Sequence, residues 1–264
     1  MSYPIEPEGE EIGLLEEYYE NCILSPGHLS INLQSVPSID IALSCDSVVD
    51  CEWTLPVLFN LISFEDLFSL LCGLMHEKSI VFVSSNLDHV SSCVLGLISL
   101  MKPFKWQHLM CSVLPDAFKD ILEAPVPLVT GVLTKPSNLQ KYPHIEWVLL
   151  DDCKILRSDK SQSEPFAKHL KEYLKFAYYK LEGCYRVTSQ EQVCAIHKFV
   201  SDVRAYWMSI IATVPLFRDR EMNIEVVRNA VMGSVDEDDK VFVELMLDTQ
   251  FFIKYVEEMY EDNN

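Results

Sequence analysis

Residues that could do chemistry are few. Asp151 and Asp152 follow the apolar run Ile145–Leu150. Two carboxylates ending a buried strand could hold Mg²⁺ or cap the next turn, and the C-terminal edge of a parallel sheet is where α/β proteins often place a working site. Trp106-Gln107-His108 sets two polar side chains in an otherwise apolar strand. They could act in catalysis, or they could satisfy hydrogen bonds within the fold. Asn86 and His89 lie in the turn after the run Ile80–Val83. His76-Glu77 opens like a zinc-protease motif but continues Lys78-Ser79-Ile80, without the second histidine, so it reads as a helix end.

Known nucleotide cradles are missing. The chain has 264 residues and only 8 glycines, with no GxGxxG and no GxxxxGK followed by Ser or Thr. An α/β pattern without a phosphate loop does not make a nucleotide site. No GxSxG nucleophile elbow occurs either. The nine cysteines form no CxxC pair, and Cys72, Cys93 and Cys111 sit in apolar runs. They read as small buried hydrophobes in a reducing cytosol, not as a disulfide framework or zinc ligands. No catalytic group, cofactor or metal is expected.

The frame for these residues follows from periodicity. Phe64, Leu67, Phe68, Leu71 and Leu74 recur at helical spacing, so Ser63–His76 is predicted as a helix with Ser63 as its cap. Ser79–Ser85 reads as a strand buried on both faces. Asn86–His89 is assigned to a turn and Ser91–Met101 to a helix ended by Pro103. Trp106–Leu114 is a second strand, and Asp116–Ala124 a short helix capped by Asp116. Pro125–Leu133 is a third strand, its prolines confining it to a strand start or a sheet edge. Residues 134–144 form a loop, and Ile145–Leu150 a fourth strand. Strands alternating with helices imply an α/β architecture, a three-layer mostly parallel sheet.

Helix signals alone remain after Ser163. Helices are predicted over Phe166–Leu181, Gln190–Val214, Ile224–Met232 (stopped by Gly233) and Asp238–Tyr260. Ahead of the sheet, residues 1–13 read as a loose tail and Leu14–Cys22 as a short acidic helix. Residues 25–52 read as a connector with one or two strands (Ile31–Leu33, Ile39–Leu43), and order begins near Leu55. The plan is a tail and connector over 1–52, an α/β module over 53–185 and an all-helical module over 186–264.

Formal net charge is -19, and no Lys or Arg precedes Lys78, while residues 1–77 hold 14 acidic side chains. Such a surface repels phosphate backbones and anionic lipid heads, which argues against nucleic acid and a polybasic membrane tether. The acidic N-terminus is unlike a signal peptide, and no apolar stretch reaches the ~18–20 residues of a membrane span.

Three segments together resemble the DENN family. The first is Leu58–Ser85, similar to that family's opening helix, charged corner and first central strand, although His76-Glu77-Lys78-Ser79 stands where members usually carry two or more basic residues. The second runs through Asn86–Val132 and holds Pro103-Phe104-x-Trp106-Gln107-His108, Val113-Leu114-Pro115 and Pro125-x-Pro127-x-x-x-Gly131; Trp147–Ile155 then resembles the acidic-ended closing strand. The third is Glu244–Tyr260, with Thr249-Gln250-x-Phe252. The resemblance covers about residues 53–260. It implies the central and C-terminal modules of a DENN unit, with residues 1–52 too short for the N-terminal longin-like module (~100 residues or more).

What the resemblance implies is a protein-binding surface. DENN members bind the switch regions of Rab-type small GTPases, help GDP leave by holding a nucleotide-free state, and so regulate vesicle traffic. That is differential binding, with no covalent step. On this sequence the candidate partner-binding residues are Asn86, His89, Gln107, His108, Asp151 and Asp152. Pro103, Trp106, Pro115, Pro125, Pro127 and Gly131 are assigned to backbone shape. The alternative is a DENN-like scaffold that assembles with another DENN or scaffold protein. Location is expected in the cytoplasm, at organelle or vesicle surfaces through the partner.

Overall fold

The computed structural model describes residues 22–25, 28–31, 39–42, 48–157, 166–179, 190–214 and 223–261. The chain divides into two compact units, Met1–Val49 and Asp50–Asn264. In the first, β1 (Cys22–Ser25), β2 (His28–Ile31) and β3 (Ile39–Ala42) form a three-stranded antiparallel meander with Leu29 opposite Leu24 and Ile41. Of the expected piece Ile31–Leu33, Ile31 ends β2 and the other two residues lie outside the described ones; β1 was not foreseen. The acidic helix expected over Leu14–Cys22 lies outside the described residues, apart from Cys22.

Helix α1 (Val48–Leu61) was not foreseen; it begins inside the expected connector, ahead of Leu55. Pro56 lies inside the helix, and Asn60 Nδ2 donates to its carbonyl at 2.8 Å. The chain then bends by 117° into α2 (Phe64–Leu74). Ser63 caps α2 as its sequence predicts, its hydroxyl accepting the Asp66 N–H at 3.2 Å.

Strand β4 (Ser79–Val83) is buried throughout. It sits between β6 (Leu128–Val132) and β7 (Ile145–Leu149), parallel to both. β5 (Leu109–Cys111) adds parallel to β6 at one edge, and β8 (Lys154–Leu156) adds antiparallel to β7 at the other. The order β5-β6-β4-β7-β8 makes a five-stranded, mostly parallel sheet. β6 is therefore interior, not an edge: Pro125 and Pro127 precede the paired residues, where a missing N–H costs no ladder bond. The second strand is only three residues long, and the Trp106 indole N–H ahead of it donates to the Leu109 carbonyl at 3.1 Å.

The sheet is covered on both sides by different means. One face (Ile80, Phe82, Val129, Val148) packs into a large cluster with α1, α2, α3 (Leu87–Ser99) and the C-terminal helices. The other (Val81, Val83, Leu128, Val132, Trp147, Leu149) is covered by Leu114 and by Leu122 of a 3-10 segment, Asp116–Glu123. That segment replaces the expected α-helix; Pro115 holds its capping position and Asp116 makes no side-chain cap. α3 begins at Leu87, so Leu87, Asp88 and His89 are helical, not a turn: Asn86 Oδ1 accepts the Asp88 N–H at 2.9 Å and starts the helix.

Helices α4 (Lys168–Tyr179), α5 (Gln190–Ile211), α6 (Ile224–Ser234), α7 (Lys240–Leu247) and α8 (Gln250–Glu261) complete the unit. Gly233 lies inside α6 and does not stop it. The single helix expected over Asp238–Tyr260 is two. Thr249 closes α7 by bonding Met246 O with both its N–H (3.1 Å) and its hydroxyl (2.6 Å), and the chain restarts as α8. The apolar period continues on either side of that break, which concealed it.

Gly131 of β6 is the tightest point between sheet and helix. A Cβ there would sit 1.8 Å from Val90 Cγ1 of α3 and 2.8 Å from the Ser112 carbonyl oxygen. Nothing lies within 4 Å of a Cβ built at Gly233. Gly131→Ala is expected to cost about 1–3 kcal/mol by overpacking, and Gly233→Ala to add up to about 1 kcal/mol by helix propensity. Urea midpoints of the two variants check this; a Gly131→Ala midpoint equal to the parent's would refute the close approach.

Candidate functional site

Because β4, β6 and β7 run parallel, the segments leaving their C-terminal ends lie together. Leu150 N–H bonds Val83 O at 2.9 Å and Ser84 N–H bonds Val132 O at 3.3 Å, carrying the pairing one residue past each strand. Asp151 then ties the ends. It accepts Ser84 Oγ at 2.5 Å and the Ser85 N–H at 3.0 Å, while Ser84 Oγ accepts the Asn86 N–H at 3.1 Å. The Ser84 hydroxyl, then the Ser85 amide, hold the Asp151 carboxyl below its ordinary value, and nearby His89 adds to that. Asp152 points elsewhere and lies 3.9 Å from Lys135, beyond β6. The reversal between β7 and β8 puts Cys153 at φ 48, in the left-handed region.

Two apolar side chains belong to the same end: Leu87, 57% exposed in the first turn of α3, and Leu133, 40% exposed after β6. A concavity of about 270 Å³ adjoins Leu150 and Cys153, walled by Ile62, Asp66, Ile155 and Tyr178. Tyr178 Oη stands 2.9 Å from Phe59 O and 2.6 Å from Ile62 O, which fixes the end of α1 as one wall. Among the described residues no three His, Cys, Asp or Glu side chains converge as metal ligands. This end offers ordered backbone, one carboxylate tied inward and one turned elsewhere, and exposed leucines.

Asn86, His89, Asp151 and Asp152 thus share one end of the sheet. Gln107 and His108 do not. They precede β5 and so lie at the opposite, N-terminal end. His108 Nε2 is 3.0 Å from Glu77 Oε1, too far off line for a hydrogen bond but within ion-pair distance when the ring is charged. The same Glu77 oxygen accepts the Phe251 N–H at 3.1 Å, so one carboxylate serves His108 and the first turn of α8. Phe104 packs beside it against Phe251 (5.1 Å), Phe252 (6.1 Å) and Tyr255 (5.2 Å). His76, next in the chain, sets Nε2 3.1 Å from the Phe242 carbonyl of α7. Gln107 is exposed, donates to Lys105 O at 3.0 Å, and shares a shallow groove with Gln250 and Ile253.

Sequence reasoning missed Ser84, Lys135, Leu87 and Leu133 at one end and Glu77 at the other. The Asp151 contacts join residues 66 and 67 positions apart, and the Phe251 contact spans 174. No local pattern reports such pairs. The bend after each strand was the one available signal, since loops at a sheet end carry function.

A family model described as DENN (AEX-3) domain matches residues 22–155. DENN domain-containing protein 2A of Mus musculus is 25% identical over 217 residues, 76% of this chain and 21% of that protein. DENN domain-containing protein 1B of Homo sapiens is 32% identical over 92 residues, 35% of this chain and 12% of that protein. Myotubularin-related protein 5 of Caenorhabditis elegans is 33% identical over 79 residues, 30% of this chain and 4% of that protein. The chain spans about a fifth of the length of the mouse relative.

Two pH effects follow from these contacts. Burial lowers His76 from 6.5 to about 4. The unfolded chain takes this proton near 6.5 and the folded chain only near 4, so stability is full above 6.5 and falls as the solution is acidified through that window. Denaturant midpoints across this range should drop, and His76→Gln should flatten the drop. At the other end, the Ser85 amide resonance should titrate with Asp151 at a midpoint below 3.8. In Asp151→Asn it should stay still; a midpoint at or above 3.8 in the parent would contradict the Ser84–Asp151 contact.

Proposed function

This chain belongs to the DENN (AEX-3) domain family, and on that premise we propose that it binds a Rab-type small GTPase and promotes release of its GDP. The contact surface is the C-terminal end of the sheet, where Asn86, His89 and Asp152 stand beside exposed Leu87 and Leu133. The observation that carries the reading is the Asp151 tie: it orders two loops that would otherwise need ordering on binding. A surface ordered in advance loses less entropy on association. Exposed leucines supply an apolar centre, and carboxylates around them supply partner selection and orientation.

Exchange by such a surface is a linkage effect. A protein that binds the nucleotide-free GTPase more tightly than the GDP form weakens GDP binding by the same factor. No acid, base or nucleophile is called for. The same partner would bring the chain to organelle or vesicle surfaces from the cytoplasm.

The test is fluorescent-GDP release from a panel of purified Rab GTPases, with EDTA as the positive control. One GTPase should release GDP at least about tenfold faster, a difference of about 1.4 kcal/mol. The paired substitution Leu87→Asp and Asp152→Ala should remove most of that acceleration while leaving the thermal midpoint unchanged. Binding without faster release would overturn exchange and keep a GTPase-binding scaffold. Neither binding nor release from any member would overturn both and favour assembly with another DENN or scaffold protein.

A further inference from the structure

Ser234 is the last residue of α6, and it is followed by Val235-Asp236-Glu237-Asp238-Asp239. Four carboxylates in the second to fifth positions after one serine is a strongly directional field. Three of them point outward: the side chains of Asp236, Glu237 and Asp238 are 76%, 86% and 66% exposed. Ser234 is itself exposed, and its hydroxyl donates to Ala230 O at 3.1 Å. The chain has already left the helix at Val235 (φ −84, ψ 140), and the space beside Gly233 is open. An enzyme cleft would receive this segment extended once Val235 N–H leaves Val231 O (3.2 Å) and the turn closed by Asp239 N–H on Asp236 O (2.9 Å) opens.

We propose that Ser234 is a phosphorylation site for an acidophilic serine kinase, one whose cleft presents basic side chains to residues after the serine, and that the phosphate loosens the turn between α6 and α7. In the transfer, Ser234 Oγ attacks the γ-phosphorus of ATP and forms a new O–P bond. The bond from that phosphorus to the β–γ bridging oxygen breaks, ADP leaves, and the hydroxyl proton passes to the kinase's base. Ser63 also precedes two acids, Glu65 and Asp66, but it is a poorer acceptor. Its hydroxyl donates to Asp66 Oδ2 at 2.7 Å and caps the Asp66 N–H at 3.2 Å.

The consequence follows from place. A phosphate of nearly two negative charges would sit at a helix C-terminus, where the dipole is already negative, and beside three exposed carboxylates. The turn is anchored by buried Asp239, which accepts the Tyr206 hydroxyl of α5 and the His169 N–H of α4 at 3.4 Å. Lys240 and Lys168 already pair with Glu237 and Asp238, so each of these cations has a competing partner. Repulsion therefore pulls on the anchor. This inference stands apart from the GTPase reading.

The experiment treats the full chain with ATP and a purified kinase that prefers serines followed by carboxylates. Expected is one phosphate per chain, located at Ser234 by peptide fragmentation, absent in Ser234→Ala and unchanged in Ser63→Ala. The triple variant Asp236→Asn, Glu237→Gln, Asp238→Asn should accept phosphate at least tenfold more slowly. The phosphorylated chain should melt about 2–4 °C lower. No phosphate on Ser234, or an equal rate in the triple variant, overturns the site. Phosphate at Ser234 with an unchanged melting point overturns the loosening.

Discussion

One carboxylate, that of Glu77, holds the two halves of the larger unit in register. Its backbone stands at φ 55, in the left-handed region, which costs roughly 1–2 kcal/mol for a residue with a Cβ. The position is kept because of what it reaches. A carboxylate on a helix N-terminus contributes ~0.3–1 kcal/mol through the dipole, and a capping bond about 1 kcal/mol more. The His108 contact and the aromatic group around Phe104 then fix the direction from which α8 arrives. Lys78, the next residue, is 3.6 Å from buried Glu146 of β7, so the same corner also orients the sheet.

This arrangement divides the sheet's two ends by role. The N-terminal end is taken up by the junction: His76 meets α7, Glu77 meets α8, and Phe104 is enclosed by aromatic rings from α5 and α8. The C-terminal end makes its tightest contacts internally, through Asp151, and leaves its leucines outward. A rigid end and an open end on one sheet suit the proposed contact surface, which would present fixed geometry to its partner. Burial pushes the Cys72 thiol up to about 12 and raises Cys93 as well, so both behave as packing atoms.

Much of the frame was legible because it is local. An unbroken run such as Ser79–Val83 has few homes besides the middle of a parallel sheet, and the Ser63 cap needs only three residues to be recognised. The DENN resemblance carried further than periodicity did, since fixed prolines and Gly131 report backbone shape. The rest was hidden by competing rules. The proline inside α1 masks a helix that the sequence assigns to a connector, and the apolar stripe over Asp238–Tyr260 passes unbroken over a real break at Thr249. For the candidate site, the strand ends identified Asp151 and Asp152. Only three-dimensional pairing separates Gln107 and His108 from them, and only a side chain crossing 67 residues reveals the partner of Ser84.

The strand order also dictates a schedule of synthesis. β4 leaves the ribosome before either neighbour, since its partners begin at Leu128 and Ile145. At about 5–20 residues per second, its five apolar-rich residues wait several seconds without a ladder. The corner beside it waits longer, because His76 and Glu77 find their partners 166 and 174 residues downstream. The nascent chain thus carries this apolar segment without a ladder until β6 and β7 have been made, and the unit closes only when α8 arrives. Helices α1 and α2, already made, are the natural shelter for that strand during the delay.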